Sequence, residues 1–391
     1  MIGKNDLRPV WAEINLDHLK HNIKEVRRVV KKDTMVAAVI KADGYGHGAS
    51  IIAKTLLENG ADRIAVATLT EAIELRRCGY HEVPLMVLGY TPEEQADTVL
   101  RNNIIQTIYS IEQARSFSEA ALKCQQVMKV HLKLDTGMSR IGFAVNDKTI
   151  DEIKAIVKLP GLIVEGIFTH FAVADELDKT FTYQQFERFM YIVTEVEKDG
   201  YKIPIKHVSN SAAIIDLPDM NLDMVRAGIM LYGLYPSPDV SHEAVKLKQV
   251  MELKARVSHV KQLPADCGVS YGLLYKTPEE KQIITLPIGY ADGFTRMLTN
   301  KAEVIIKGKK VPIVGRICMD QCMADATGVE VHRGDEATLF SNNPESGITV
   351  DDIAGKLNTI NYEIVCMVGR RVPRVYMENN TLLHIRDYLL E

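Results

Sequence analysis

The sequence predicts a (β/α)8 barrel followed by a mostly β domain, and three observations predict it. Short apolar runs alternate with stretches of helical periodicity over residues 17–245. Polar and cationic residues gather where several of those runs end, which is where barrels keep their chemistry. After about residue 245 the texture turns β-rich, with Gly and Pro punctuation and few helical stretches. At 391 residues the chain has room for a barrel of about 230 residues and a second domain of about 140.

The elements follow in order. Residues 10–16 (VWAEINL) read as a strand that precedes the barrel, so residues 1–16 are expected to pair with the C-terminal domain. The barrel strands are 35–41 (MVAAVIK), 63–68 (RIAVAT), 85–88 (LMVL), 104–107 (IIQT), 129–135 (KVHLKLD), 163–170 (IVEGIFTH), 205–209 (IKHVS) and 223–226 (DMVR). Helix starts lie between them. Thr91-Pro-Glu-Glu94 offers a cap, a proline at the first helical position and an acid at the third, and Ser110-Ile-Glu-Gln113 is a capping box. Residues 180–199 form a long amphipathic pattern. Together these describe a TIM-type barrel over residues 17–245. The second domain, residues 246–391, contains β-rich stretches such as 304–316 (VIIKGKKVPIVGR), with residues 351–357 as a helical exception.

Composition narrows the function classes. Hydrophobic residues make up 46% and charged residues 25% of the chain, which suits a globular protein with a sizeable core. A net charge of -4 argues against a nucleic-acid or anionic-membrane surface, though not against a local basic pocket. The six cysteines form no CxxC and no paired zinc spacing, so they read as free thiols of a reducing compartment, with no metal site expected. The N-terminus lacks a signal-peptide core and no apolar run approaches a membrane span, so the protein is expected to be soluble and cytoplasmic.

The strand ends carry the chemistry. Lys41 closes a very apolar run and is followed by Ala-Asp-Gly-Tyr-Gly-His-Gly48. Such a lysine either snorkels to solvent or serves as an amine nucleophile with a lowered pKa, able to form a Schiff base with an aldehyde. Lys133 and Asp135 lead to Arg140, Thr169 to His170, and His207 to Ser209-Asn210-Ser211, while Arg226 precedes Ala227-Gly228-Ile229. Gly44, Gly46 and Gly48 do not make a GxGxxG, and no P-loop exists, so dinucleotide binding is set aside. Barrels often hold phosphate with the loops after strands seven and eight; here Ser211 offers a hydroxyl, and Gly228 and Ile229 offer amides. An ordinary helix cap explains residues 209–211 equally well. A Schiff-base lysine facing a phosphate cup points to pyridoxal 5'-phosphate.

In its motifs the sequence resembles the bacterial alanine racemases. The resemblance rests on residues 37–49 (AAVIKADGYGHGA), 131–143 (HLKLDTGMSRIGF), 167–172 (IFTHFA), 207–212 (HVSNSA), 226–233 (RAGIMLYG), 269–272 (VSYG), 288–293 (IGYADG) and 315–321 (GRICMDQ), in that order, and on Tyr362 within INYEI. It implies an isomerase that interconverts L- and D-alanine for cell-wall peptidoglycan. It also implies a homodimer whose active sites are shared across the interface. Lys41 would hold the cofactor and act as one base, and Tyr271 of the second domain would be the other, supplied by the neighbouring subunit. Two bases on opposite faces of the α-carbon let a proton leave one side and return on the other. The resemblance assigns Tyr45, His170, Asn210, Ser211, Arg226, Gly228, Ile229 and Tyr362 to the cofactor, and Arg140 and the Met319 amide to the substrate. It further implies a carbamylated Lys133. Three alternatives stand beside this reading. They are a racemase of broader or different specificity (serine, lysine), a barrel decarboxylase, which the cation Arg226 disfavours, and a non-catalytic cofactor-binding barrel, which the second domain disfavours.

Overall fold

The structure, a computed structural model, describes residues 7–391; the first six residues of the expected N-terminal strand segment lie outside them. The chain divides into two compact units. One comprises Leu19–Gly44 and Ala49–Leu247; the other comprises the described residues up to His18, Tyr45–Gly48 and Lys248–Glu391.

The first unit is the barrel. Its parallel strands are β2 (Met35–Val39), β3 (Arg63–Val66), β4 (Leu85–Val87), β5 (Ile105–Ile108), β6 (Met128–Asp135), β8 (Leu162–Phe168), β9 (Ile205–His207) and β10 (Met224–Ala227), with β1 (Val10–Asn15) in the other unit and β7 (Phe143–Ala144) a short pairing on β6. β10 pairs with β2, so the sheet turns back on itself. Between β9 and β10 the Asp223 amide donates to the Lys206 carbonyl at 3.1 Å and the Arg226 amide to the Ser209 carbonyl at 3.0 Å, which completes the ring. The strands begin and end within two residues of the runs read from the sequence, because apolar runs bounded by turn residues suit strands buried on both faces.

Alternation in β6 shows how the fold aims side chains. Val130, Leu132 and Leu134 lie on one face and His131, Lys133 and Asp135 on the other. Between β6 and β8 the register shifts: Val130 pairs with Val164 but His131 pairs with Gly166, so Glu165 is the extra residue of a bulge. After α1 (Leu16–Val29) and the short turn α2 (Lys41–Tyr45), helices α3 (Ala49–Glu58) through α9 (Ser211–Asp216) follow their strands, and caps explain several starts. Thr68 and Glu71 form a full capping box on α4 (Leu69–Arg77). The Ser110 hydroxyl accepts from the Gln113 amide at 3.1 Å to start α6 (Ile111–Lys123). The expected cap at Thr91 does not form. Pro92 is extended at ψ 143, a 3-10 turn spans Glu93–Gln95, and α5 (Ala96–Arg101) begins only afterwards. Burial of the Thr91 hydroxyl without a hydrogen-bond partner fits that displacement.

The second unit is built on a seven-stranded sheet. Its order is Lys309–Pro312, Glu303–Ile306, Glu336–Phe340, Met251–Arg256, β1, Arg374–Glu378, Thr381–Arg386. β1 therefore pairs antiparallel with Met251–Arg256 and parallel with Arg374–Glu378, and its Val10, Trp11, Ala12 and Ile14 are buried. Lys307 and Gly308 both have positive φ (49 and 76), the two-residue turn that joins twisted strands into a hairpin. Tyr45–Gly48 belongs to this unit because the buried Arg374 donates to the Gly46 carbonyl at 2.9 Å and the Tyr376 hydroxyl to the His47 carbonyl at 3.0 Å. Among the described residues no helix is long and apolar enough to cross a membrane.

Candidate active site

Lys41 stands two residues past the end of β2. The chain then makes a left-handed turn, with φ of 51 at Ala42, 53 at Asp43 and 63 at Gly44. Left-handed backbone costs an L-residue about 1–2 kcal/mol, so neighbours must impose it. The Glu71 carboxylate accepts from the Ala42 amide at 2.6 Å and, through its other oxygen, from the Ala67 and Thr68 amides. Asp43 accepts from the Ala49 amide at 2.8 Å, and the Gly44 amide donates to the Ile40 carbonyl at 2.8 Å. The capping acid of α4 thus also fixes the turn that carries Lys41.

Arg226 is buried in β10 and its Nη groups are committed inside the barrel. Nη1 donates to His207 Nδ1 at 2.9 Å and to the His207 carbonyl at 3.1 Å. Nη2 faces the Thr169 carbonyl at 2.9 Å, the Val208 carbonyl at 3.0 Å and His170 Nδ1 at 3.3 Å. Arginine only donates, so His170 and His207 each accept from it at Nδ1. Burial, and then the charge of Arg226, push the pKa of both imidazoles well below the ordinary value, which agrees with neutral rings. Four cations bear on His170: Arg226, Arg140, Lys133 and Lys41, in decreasing order.

Lys133 is buried with its Nζ donating to the Leu134 carbonyl at 2.6 Å and lying 5.5 Å from the centre of the Phe168 ring. Burial first, then the charge of Arg226, lower its pKa to about 7, with Arg140 adding to the effect and Asp135 opposing it. Arg140 is exposed at the end of a loop that Asp135 shapes by accepting from the Gly137 and Ser139 amides.

At the loops after β9 and β10, the Ser211 hydroxyl accepts from the Gly228 amide at 3.0 Å and the Met230 amide at 3.5 Å. The Asn210 side chain accepts from the Ala213 amide as the cap of α9, and Ile229 begins a 3-10 turn through Tyr232. The second unit carries the remaining residues. The rings of Tyr45 and Tyr362 lie 6.2 Å apart, tilted by 52°. Tyr271 is 68% and Met319 52% exposed. Ser270, at φ 66, holds the turn before Tyr271 by donating to the Arg316 carbonyl at 2.6 Å.

The barrel unit therefore brings Lys41, Lys133, Arg140 and Arg226 to bear on one imidazole, and joins Ser211 to Gly228. Tyr45, Tyr271, Met319 and Tyr362 belong to the other unit. Sequence reasoning passed over Glu71, His131 and Glu165. Glu165 carries a legible signal, as the one charged residue of the strand Leu162–Phe168.

The fold and this cluster define a barrel protein with a strand-end lysine and a group of basic side chains gathered about His170. Comparison with known proteins makes the class specific. Residues 14–236 match the family description "Alanine racemase, N-terminal domain" and residues 250–376 match "Alanine racemase, C-terminal domain". The chain is 50% identical over 386 residues to an alanine racemase of Clostridium perfringens, covering 98% of this chain and 99% of the relative. It is 50% identical over 370 residues to an alanine racemase of Methanococcus maripaludis, covering 94% and 99%. Among solved structures, alanine racemase of Clostridium difficile 630 superposes with a TM-score of 0.94 at 46% identity, covering 98% and 99% of the two chains. That of Bacillus anthracis with bound L-Ala-P superposes with a TM-score of 0.92 at 34% identity and the same coverage. The chain belongs to the alanine racemase family.

Proposed function

We infer that this protein is a pyridoxal-phosphate-dependent alanine racemase, an isomerase that interconverts L- and D-alanine and works as a homodimer. The observation that carries the inference is the gathering of Lys41, Lys133, Arg140 and Arg226 about the neutral His170, in a chain half identical to alanine racemases. The donor set fits the cofactor. An amine at a strand end suits its aldehyde. The Ser211 hydroxyl with the Gly228 and Ile229 amides suits its phosphate, and the fixed donor Arg226 suits its ring nitrogen. Tyr45, Asn210 and Tyr362 complete the phosphate side, and His170 supports Arg226. When bound, the cofactor supplies a sink for the electron pair left as the α-C–H bond breaks.

The chain's own residues do the rest. Lys41 holds the cofactor, and its amine takes or returns the α-proton on one face. Tyr271 of the second subunit serves the opposite face, and its exposure in the single chain suits a group that acts across an interface. Arg226 cannot accept a proton, so beside the cofactor's ring nitrogen it would leave that nitrogen unprotonated and moderate the sink. Arg140, with the Met319 amide, grips the substrate carboxylate through its planar fork. The neutral Lys133 amine would add to carbon dioxide, forming an N–C bond and releasing one proton, and the resulting carbamate anion would pair with Arg140. The D-alanine produced would serve cell-wall peptidoglycan.

The test is incubation of the protein, loaded with pyridoxal phosphate, with single amino acids in deuterated water. The expected result is α-hydrogen exchange and enantiomer formation with alanine. Exchange with serine or lysine but not alanine would overturn the substrate assignment.

A further inference from the structure

A buried hydrogen-bonded chain runs from Arg226 through the barrel interior, and the reaction described above makes no use of it. His207 Nε2 lies 2.8 Å from His131 Nδ1, and His131 Nε2 lies 3.1 Å from Glu165 Oε2. Glu165 in turn accepts from Arg63 Nη1 at 2.5 Å and pairs with Lys129 at 3.2 Å. Both ends fix the direction of the chain. Arg226 can only donate, so His207 Nδ1 presents a lone pair and His207 Nε2 carries the proton. His131 Nδ1 must then accept, so His131 Nε2 carries the proton and gives it to Glu165. Burial alone would raise the Glu165 pKa, but hydrogen bonds from His131 and Arg63 hold it below the ordinary carboxylate range, so this end only accepts. The opposite arrangement would set donor against donor at Arg226.

The fold is shaped around this chain. The bulge at Glu165 sets its carboxylate beside His131. Gly166 leaves the space that the imidazole fills, since a Cβ there would lie 2.4 Å from His131 Nδ1 and Cε1. His207 stacks on Phe168, with centroids 4.7 Å apart and planes within 7°. Apolar side chains of similar volume would fill a barrel interior at no loss of stability, so a fully ordered polar chain calls for another purpose.

We propose that His207, His131 and Glu165 are positioning residues: the Glu165 carboxylate sets the tautomer of both imidazoles and thereby the orientation of the Arg226 guanidinium. The proposal rests on reading Arg226 as the partner of the cofactor's ring nitrogen. With its Nη hydrogens held by His207, Thr169, Val208 and His170, the guanidinium has one orientation to offer.

Neutron diffraction from the perdeuterated holoenzyme reads the chain directly. Deuterium is expected on Nε2 and not on Nδ1 of both His207 and His131; deuterium on His207 Nδ1 overturns the proposal. Two variants add a functional readout. His131→Gln can still accept from His207 and donate to Glu165, whereas His131→Phe can do neither. H131F is expected to lower kcat about tenfold, the usual scale for loss of an outer partner, to leave KM for alanine within about threefold, and to shift the absorbance of the bound cofactor. H131Q should restore both the absorbance and kcat to within about threefold of the parent. An H131F enzyme with parental kcat and absorbance, or an H131Q enzyme as impaired as H131F, overturns it. Should H131F fail to fold, the neutron experiment still decides. If the parent protein fails to exchange alanine, the functional reading falls, while the deuterium positions still report on the chain.

Discussion

Lys133 shows how one residue links stability and activation. Its pKa in the fold is about 7 against an ordinary 10.5, so between those values the unfolded chain binds a proton that the folded chain does not. Stability therefore rises with pH across that window, and the penalty of burying the charge is complete below it. In carbon-dioxide-free buffer Lys133→Met should be stabilised relative to the parent more at pH 6 than at pH 9, as read by urea unfolding; an equal difference at both would contradict the burial account. A neutral amine at mild pH also reacts with carbon dioxide. Labelled bicarbonate should give a carbamate carbon signal in the parent and none in Lys133→Met. Tyr271→Phe should leave cofactor absorbance intact but lower α-deuterium exchange severely, and unequally for the two enantiomers. Equal, mild effects would remove Tyr271 from the mechanism. At this scale the sequence was legible where a cation ends an apolar run, as at Lys41 and Arg226. The pairing of His131 with Glu165 was opaque because it spans β6 and a bulge in β8, and no local pattern announces a bulge.

Among the elements, the left-handed turn after β2 is the most constrained. Its strain is held by Glu71, so Glu71→Ala should destabilise the protein by about 1–2 kcal/mol, as loss of a cap does. It should also lower kcat by loosening Lys41. Thermal melts and steady-state rates on the same sample would show both, and a stability loss with unchanged kcat would separate the turn from catalysis. Gly44→Ala should be worse, because its Cβ would lie 2.5 Å from Ile52 Cδ1 at a φ of +63. Strand positions were readable to within two residues because apolar runs and turn residues bound them sharply. The expected run overshoots β2 by two residues at Lys41, since the reversal there depends on Glu71, 29 residues beyond Ala42 along the chain. Thr91 failed as a cap because Pro92 took an extended conformation.

For the whole molecule, a net charge of -4 conceals a site that gathers four basic side chains about His170. Averaged composition could not reveal that cluster, which exists only once Lys41, the Lys133–Arg140 segment and Arg226 converge on His170. The shared-site dimer has its own test. Lys41→Ala and Tyr271→Phe chains, each inactive alone, should regain about a quarter of parental activity after subunit exchange, since half of the dimers are mixed and each holds one intact site. No recovery after verified exchange would mean that each chain uses its own tyrosine.

β1 has a consequence for biosynthesis. A ribosome releases Val10–Asn15 first, yet its sheet neighbours Met251–Arg256 and Arg374–Glu378 emerge only after the whole barrel. The nascent chain must therefore carry an apolar strand with both edges open while the barrel forms, a template for pairing with other chains. Slow translation beyond residue 247 would lengthen that exposure, and holdase chaperones that shelter extended apolar segments would matter most in that interval.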